Sequence, residues 1–473
     1  MDERTVLART AGLAADFLGS LDARPVGVPV GSDGLHQALG GPLPDVGEDS
    51  LRIVETLARE ADPGIVASAG PRYFGFVVGG SFPAAVAADW LTSAWDQNAG
   101  LFAMAPAAMV VEEVAGRWLK DLLGLPAGAS VGFVSGATMA NWTSLATARH
   151  AMLERLGWNV ETRGLYGAPE LDVVIGAEAH VTILAALQYL GLGRERVHVV
   201  PVDGQGRMRA DELAAVLARC RPHPIVCAQA GNVATGAFDP LEPIAEAVRT
   251  AEGWLHVDGA FGLWAAASPA LRPLTAGLDR ADSWTTDAHK WLNVPYDSGL
   301  AFTVHPASHR AATSLSAAYL VEAESRDRDG DDWVPEYSRR ARAFPIYATI
   351  RALGRSGVAE LVERCCRLAR RMADRLGQDP AVTILNDVVL NQVLVRVGPD
   401  GETGDAWTRQ AITGIQRDGT CWLGGTEWHG RAAMRISVSN WRTTDADIDA
   451  SADAILRAVR ATERGGGSVA GTS

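Results

Sequence analysis

No apolar run in this chain reaches the ~18–20 residues that a bilayer-crossing helix requires, so no membrane-spanning segment is expected. Positive charge is scarce. The 43 Lys and Arg residues stand against 56 Asp and Glu, a formal net charge of −13. General binders of nucleic acid or of anionic membranes carry the opposite sign, so neither is an expected partner; a local basic pocket for a small anion is compatible with the total. Cysteine is sparse too: Cys220, Cys227, Cys365, Cys366 and Cys421 form an odd set with no framework spacing. That argues against a disulfide scaffold and for a reduced, cytoplasmic chain. Cys365 and Cys366 lie in the apolar-periodic run LVERCCRLARRMADRL and read as core. No HExxH helix, close His/Cys ligand set, GxSxG turn or P-loop occurs, so no metal is expected. The opening MDERTVLART carries acidic residues with no apolar stretch behind it and does not read as a secretory signal.

What is present is ample core material. The 473 residues are 47% hydrophobic and 21% charged, enough for two packed domains or a large domain with appendages. Residues 1–75 read as helices joined by Gly/Pro-rich loops, with Arg24–Asp45 too rich in both to be one element. From Phe82 to Leu123 the pattern is helix-compatible, and Gly124 and Pro126 end it. Short apolar runs then follow at 131–134, 171–176, 196–201, 224–229, 254–257, 283–286 and 299–304, mostly separated by helical patterns such as ADELAAVLARC. Strands alternating with helices imply crossover units around a mainly parallel sheet, whose ligands sit beyond the carboxyl ends of the strands. The charged stretch Val321–Pro335 has little to bury and reads as a mobile loop, either a solvated connection or a lid. A long helix near 345–376 leads to a smaller α+β region, and RGGGSVAGTS reads as a disordered tail.

Four segments concentrate chemistry. TTDAHKWLNVPYDSG places Lys290 just after a strand, beside His289, Trp291 and Leu292. An apolar setting favours the neutral amine and imine formation with a carbonyl cofactor, although a lysine at a strand end is as readily a surface residue. WLHVDGAFG puts Asp258 at a strand end before the small residues Gly259 and Ala260. That carboxylate could face a ligand or simply close a turn. One helix and a return strand fit between Asp258 and Lys290, which brings both to one sheet edge. VGFVSGATMANWTSLATAR runs from a strand through a small-residue turn into a helix, an ordinary cap or a phosphate site. His180 in GAEAHVTILAALQYLG begins another helix after a strand.

Together these segments, with PRYFGFVVGG, DQNAGLFAMAPAAMVVEE, AGNVATGAFDP and MRISVSNW, resemble the pyridoxal-dependent group II amino-acid decarboxylases, the family of the aromatic-amino-acid and glutamate decarboxylases. The resemblance spans about Pro71 to Asn440. It implies a fold-type I, aspartate aminotransferase-like α/β architecture with a seven-stranded sheet. It also implies an N-terminal segment (1–75) packed on a partner subunit, a large cofactor domain (76–345), a small C-terminal α+β domain (346–462) and a tail (463–473). By the same resemblance the cofactor is pyridoxal 5'-phosphate, held as an aldimine on Lys290, with Asp258 on the pyridine nitrogen, His180 over the ring and Ala260 beneath it. Ala137 and Thr138 would bind phosphate, Asn232 stands where relatives commonly have threonine, and His289 would touch cofactor or substrate. Tyr73 and Phe76 would border the substrate, while Asn98 and Phe102 would come from the partner of a homodimer with shared active sites. The implied reaction is decarboxylation of an aromatic or related L-amino acid to the amine and CO2 through a quinonoid intermediate. Family members acting on aromatic substrates carry a tyrosine in the mobile loop, and Val321–Pro335 holds Trp333 but no tyrosine, with Tyr319 and Tyr337 only flanking it. Oxidative deamination to an aldehyde, or β-elimination, on the same cofactor is therefore the alternative, ahead of a non-catalytic scaffold.

Overall fold

The computed structural model describes residues 2–28, 30–314 and 327–466. Each of the seven apolar runs forms a strand: β1 Ser130–Val134, β2 Val173–Gly176, β3 Val197–Val200, β4 Ile225–Gln229, β5 Trp254–Asp258, β6 Ser283–Asp287 and β7 Gly299–Thr303. They make one sheet in the order β1-β7-β6-β5-β4-β2-β3. Only β7 runs against its neighbours; the other pairings are parallel. Strands covered on both faces need apolar residues at every position, and β1, β2, β5, β6 and β7 bury their whole length. Edge strand β3 is only partly covered, with Val199 exposed.

Helices connect and cover these strands. Ahead of β1 come α1 Glu3–Ser20, α2 Ser32–Leu39, α3 Ser50–Ala61, α4 Pro83–Trp95 and α5 Pro106–Leu122. Between strands lie α6 Ala137–Arg155, α7 Val160–Arg163, α8 Val181–Tyr189, α9 Ala210–Leu217 and α10 Leu241–Thr250, and α11 Pro306–Thr313 follows β7. The small side chains of α6 let it sit close to the sheet, and it packs on α8, α11 and strands β5 to β7. Leu145, Met152, Ile175, Ile183, Ile225 and Trp254 form the centre of that core. Each such aliphatic side chain, taken from water, contributes about 1.5–3 kcal/mol.

The chain divides into two compact units, and their boundaries differ from those expected. One holds Gly79–Arg367 and Asn386–Gln392; the other holds the residues up to Val78, Leu368–Leu385 and Val393 onward. The division falls between Arg367 and Leu368, inside α12 Ala343–Leu376, a helix kinked earlier at Gly354 and regular through the boundary. The second unit contains β8 Val382–Ile384, β9 Gln392–Val397, α13 Glu402–Asp418, β10 Gly424–Trp428, β11 Arg431–Ser437 and α14 Asp445–Gly466, with the four strands ordered β10-β11-β9-β8. The N-terminal segment belongs to this unit through its backbone: Phe74 N donates to Trp422 O (2.8 Å) and Ser437 N donates to Phe74 O (2.9 Å). Helix α14 continues to Gly466, so 463–466 is helical; the remainder of the expected tail lies outside the described residues.

The charged stretch is a second departure. Tyr319 and residues 321–326 lie outside the described residues, but 327–335 is anchored rather than solvated. Arg328 pairs with fully buried Glu112 (3.2 Å), which also pairs with buried Arg339 (2.6 Å), and Arg328 donates to Val131 O (2.6 Å). Charge misled the expectation because these charges are matched by a carboxylate on α5. Trp333 packs edge-on to His309 of α11 at 5.4 Å, and its carbonyl accepts from His309 Nε2 at 3.0 Å.

Burial pushes His309 down to about 3, reinforced by Arg328 and opposed by the Trp333 carbonyl. The folded chain therefore keeps this ring neutral, whereas the unfolded chain titrates near 6.5. Its contribution is full above about pH 6.5 and is lost as pH falls toward 3, by up to several kcal/mol. The urea midpoint should drop between about pH 7.5 and about pH 5, and His309→Gln should flatten that drop. An unchanged acid slope in the variant would assign the loss to other groups.

Candidate active site

Because β1, β2, β4, β5 and β6 share a direction, their carboxyl ends open on one edge. To that edge the sheet brings Gly136–Thr138 after β1, His180 after β2, Asn232 after β4, Asp258 ending β5 and Asp287–Lys290 after β6. Strands β5 and β6 are stitched there by Gly259 N to Thr285 O (3.0 Å) and Asp287 N to Ala260 O (2.8 Å).

Lys290 keeps 19% of its side chain exposed, with Nζ 3.0 Å from Asp287 Oδ2. The expected apolar setting is corrected: Trp291 and Leu292 turn into the core, and the amine faces a carboxylate. Asp287, three residues before the lysine and the last of β6, has no distinguishing signal in the sequence. Its Oδ1 has no hydrogen-bond partner in the described structure. His289 accepts at Nδ1 from Ser298 N (3.1 Å), stacks on Tyr296 at 4.2 Å and lies 3.6 Å from Asp287. Burial holds its pKa below the usual imidazole range, against the pull of Asp287. The Lys290 turn is itself held by a close backbone approach. A Cβ at Gly79 would lie 1.7 Å from Lys290 O, and Phe82 N donates to Asn293 O (2.7 Å).

Asp258 is 4% exposed. Its Oδ1 accepts from Ala260 N (3.1 Å) and its Oδ2 from Asn141 Nδ2 (3.2 Å). Among the described residues no lysine, arginine or histidine pairs with it, so a cation from a ligand suits this buried carboxylate. His180 caps α8, and its Nδ1 meets Thr182 Oγ1 (2.8 Å). With Ile183, Cys227, Gln229 and Asp239, Asp258 and His180 line a small pocket at the edge. Asn232 spends its Oδ1 on its own turn, accepting from Ala234 N (2.8 Å) and Thr235 N (3.2 Å).

The turn into α6 fits a phosphate. Its cap residue Gly136 supplies no side-chain bond to the first-turn N–H groups. Gly299 packs so tightly beneath that a Cβ there would fall 2.5 Å from the Gly136 Cα. Ala137 is buried and Thr138 exposed. An anion cradle, an unpaired acid and a reachable amine on one edge match pyridoxal phosphate, with its phosphate, ring nitrogen and aldehyde.

The remaining expected residues lie elsewhere. Asn98 Oδ1 accepts from Gly100 N (3.2 Å) and Arg339 N (3.1 Å); Phe102 N donates to Asp329 Oδ1 (2.7 Å). Tyr73 and Phe76 belong to the second unit, where both stack on Trp422, with centroids at 5.0 and 5.6 Å. That unit also holds Arg435, half-buried on β11, with no ion pair or side-chain hydrogen bond among the described residues; burial lowers its pKa. Neither Trp422 nor Arg435 was singled out from sequence.

The model of the pyridoxal-dependent decarboxylase conserved domain matches residues 35–397, most of the chain. The chain belongs to the pyridoxal-dependent decarboxylase family. This decarboxylase is 26% identical over 447 residues to the aromatic-L-amino-acid decarboxylase of Bacillus atrophaeus, covering 92% of this chain and 91% of that one. It is 30% identical over 360 residues to the acidic amino acid decarboxylase GADL1 of Homo sapiens, covering 74% and 68%. In fold it is similar to the crystal structure of Oryza sativa TDC with PLP and tryptamine, with a TM-score of 0.91 at 22% identity over 97% of each chain. It is thus a pyridoxal-phosphate-dependent amino-acid decarboxylase of the fold-type I class. No described helix is long and apolar enough to cross a membrane.

Gly79→Ala tests the support of the lysine turn. The added methyl meets backbone, which has little freedom to yield, so overpacking should cost about 1–3 kcal/mol. Thermal melting should show that loss, and equilibrium dialysis should show weakened cofactor retention. A variant equal to its parent in both would show that the turn tolerates displacement.

Proposed function

We propose that this decarboxylase acts on an L-amino acid with an aromatic side chain and releases CO2 and the amine. The observation that carries the substrate class is the likeness to the aromatic-L-amino-acid decarboxylase of Bacillus atrophaeus, which extends over 92% of this chain and 91% of that one.

Bound pyridoxal phosphate supplies an electron sink for the charge left on carbon when CO2 departs. The chain does the rest. Lys290 would attach the cofactor, and Asp258 would hold the proton on the ring nitrogen. His180 and Ala260 would contact the ring. Ala137 and Thr138, at the N-terminus of α6, bind the phosphate. Asn232 and His289 complete the cofactor contacts. Asn98 and Phe102 act as substrate contacts across a homodimer.

A second reading is an acidic amino acid as substrate, the class named for the Homo sapiens relative. The closing experiment is a screen of the purified holoenzyme against aromatic and acidic L-amino acids, scoring CO2, amine, aldehyde and peroxide together. Amine from aromatic substrates supports the proposal, and turnover of acidic substrates alone overturns it. Aldehyde with peroxide would identify an oxidative route, consistent with residues 327–335 carrying Trp333 and no tyrosine. Borohydride should trap cofactor on Lys290 in the parent and on no residue in Lys290→Ala.

The homodimer accounts for an apolar surface within each unit. Helices α1, α2 and α3 bury no residue, with Leu7, Ile53 and Leu57 exposed, and α4 exposes Trp90, Leu91 and Trp95. Light scattering at assay concentration should give twice the chain mass. An active monomer would remove the proposed role of Asn98 and Phe102.

A further inference from the structure

Behind Asp258 runs a line of polar side chains to which the roles above give no part. Asn141 on α6, His256 on β5 and Ser283 on β6 are all fully buried. Their hydrogen atoms are dictated by what each group can do. The Trp254 indole only donates, so Ser283 Oγ accepts from its Nε1 (2.9 Å). A carboxylate only accepts, so Asn141 turns Nδ2 to Asp258 Oδ2 (3.2 Å) and Oδ1 to His256 Nε2 (3.0 Å). His256 must then carry its proton on Nε2 and accept at Nδ1 from the Ser283 hydroxyl (2.9 Å). Burial pushes His256 down to about 4 despite Asp258 nearby, which keeps the ring neutral.

The same amide has a second arm. Asn141 Nδ2 also donates to Thr182 Oγ1 (3.1 Å). That hydroxyl is then left to donate to His180 Nδ1 (2.8 Å), which also accepts from Thr182 N (3.3 Å). Nδ1 of His180 is thereby an acceptor, and its proton sits on Nε2.

We propose that Asn141 is the positioning residue of this site, its one amide orienting both the Asp258 carboxylate and, through Thr182, the His180 ring. The proposal rests on the assignment of Asp258 and His180 to the cofactor made above. Each bond from Trp254 to Asp258 donates toward the acid, so the dipoles add and stabilise its negative charge. The carboxylate is held in one rotation and keeps lone-pair capacity for the pyridine nitrogen. Reversing the amide would set Oδ1 against Asp258 and the NH2 group against His256 Nε2–H, so the surroundings permit one orientation.

The test uses holoenzymes loaded with pyridoxal phosphate carrying nitrogen-15 in the ring. Asn141→Asp nearly preserves shape and still accepts from His256, but it replaces the donor facing Asp258 with an acceptor. The ring-nitrogen signal should move toward its unprotonated position, and cofactor affinity should fall about tenfold or more, the effect of losing a hydrogen bond to a charged group. Asn141→Ala should move both readouts the same way and serves if the aspartate variant does not fold. His256→Gln, whose amide nitrogen can replace Nε2–H, should keep the parent signal. Parent-like signal and affinity in the Asn141 variants, with Asp258→Ala losing the protonated signal, would overturn the role of Asn141 alone. Lost affinity with an unmoved signal would reduce Asn141 to packing and overturn it too. A parent-like signal in Asp258→Ala would instead overturn the site reading beneath it.

Discussion

The parallel register of β5 on β6 is the constraint on which the site depends. Asp258 lies opposite Thr285, so the acid ends one strand while the next continues two residues to Asp287 and turns into Lys290. A one-residue slip would send alternate side chains to the other face of the sheet and separate the groups. Full burial of both strands makes such a slip costly, since polar residues such as His256 and Ser283 would leave their partners. The same burial leaves Asp258 with no cationic side chain paired to it among the described residues, the reason it is proposed to meet a positively charged ring nitrogen.

Much of the fold was legible in the sequence. Seven short apolar runs became seven strands because a doubly covered sheet asks for apolar residues at every position, a local signal. The residues from the strand ends were readable for a related reason, since a polar residue after such a run has nowhere to go but the edge. What stayed hidden is non-local. Asn141 lies in the middle of α6, where an asparagine resembles any other polar helical residue, and its meaning comes from His256 and Asp258, more than 100 positions away. Asp287 was in view yet mute, because only the i, i+3 turn after β6 shows that it meets Lys290. The unit boundary was invisible because α12 passes through it without a change of pattern.

The stretch from Arg328 to Arg339 shows how charge misleads when read as solvation. Glu112 is fully buried on α5 between two guanidinium groups. Removing one partner from such a cluster costs about 3–5 kcal/mol, because the remaining charge stays buried without compensation. The density of Asp and Arg that suggested a loop in water instead records a segment tied to β1 and α5. Asp331 within it is raised to about 6 by burial and its acidic neighbours Asp332 and Asp329.

The cysteines carry a consequence for chemical durability. All five are free, four are buried, and burial holds the Cys365 thiol up at about 11 and the Cys421 thiol at about 12, with Cys227 raised further still. Peroxide and alkylating reagents attack the thiolate, which these sites scarcely populate at neutral pH. Cys227, which lines the small pocket beside Asp258, is the most strongly raised of them, so a reagent small enough to enter that pocket still meets a protonated sulfur.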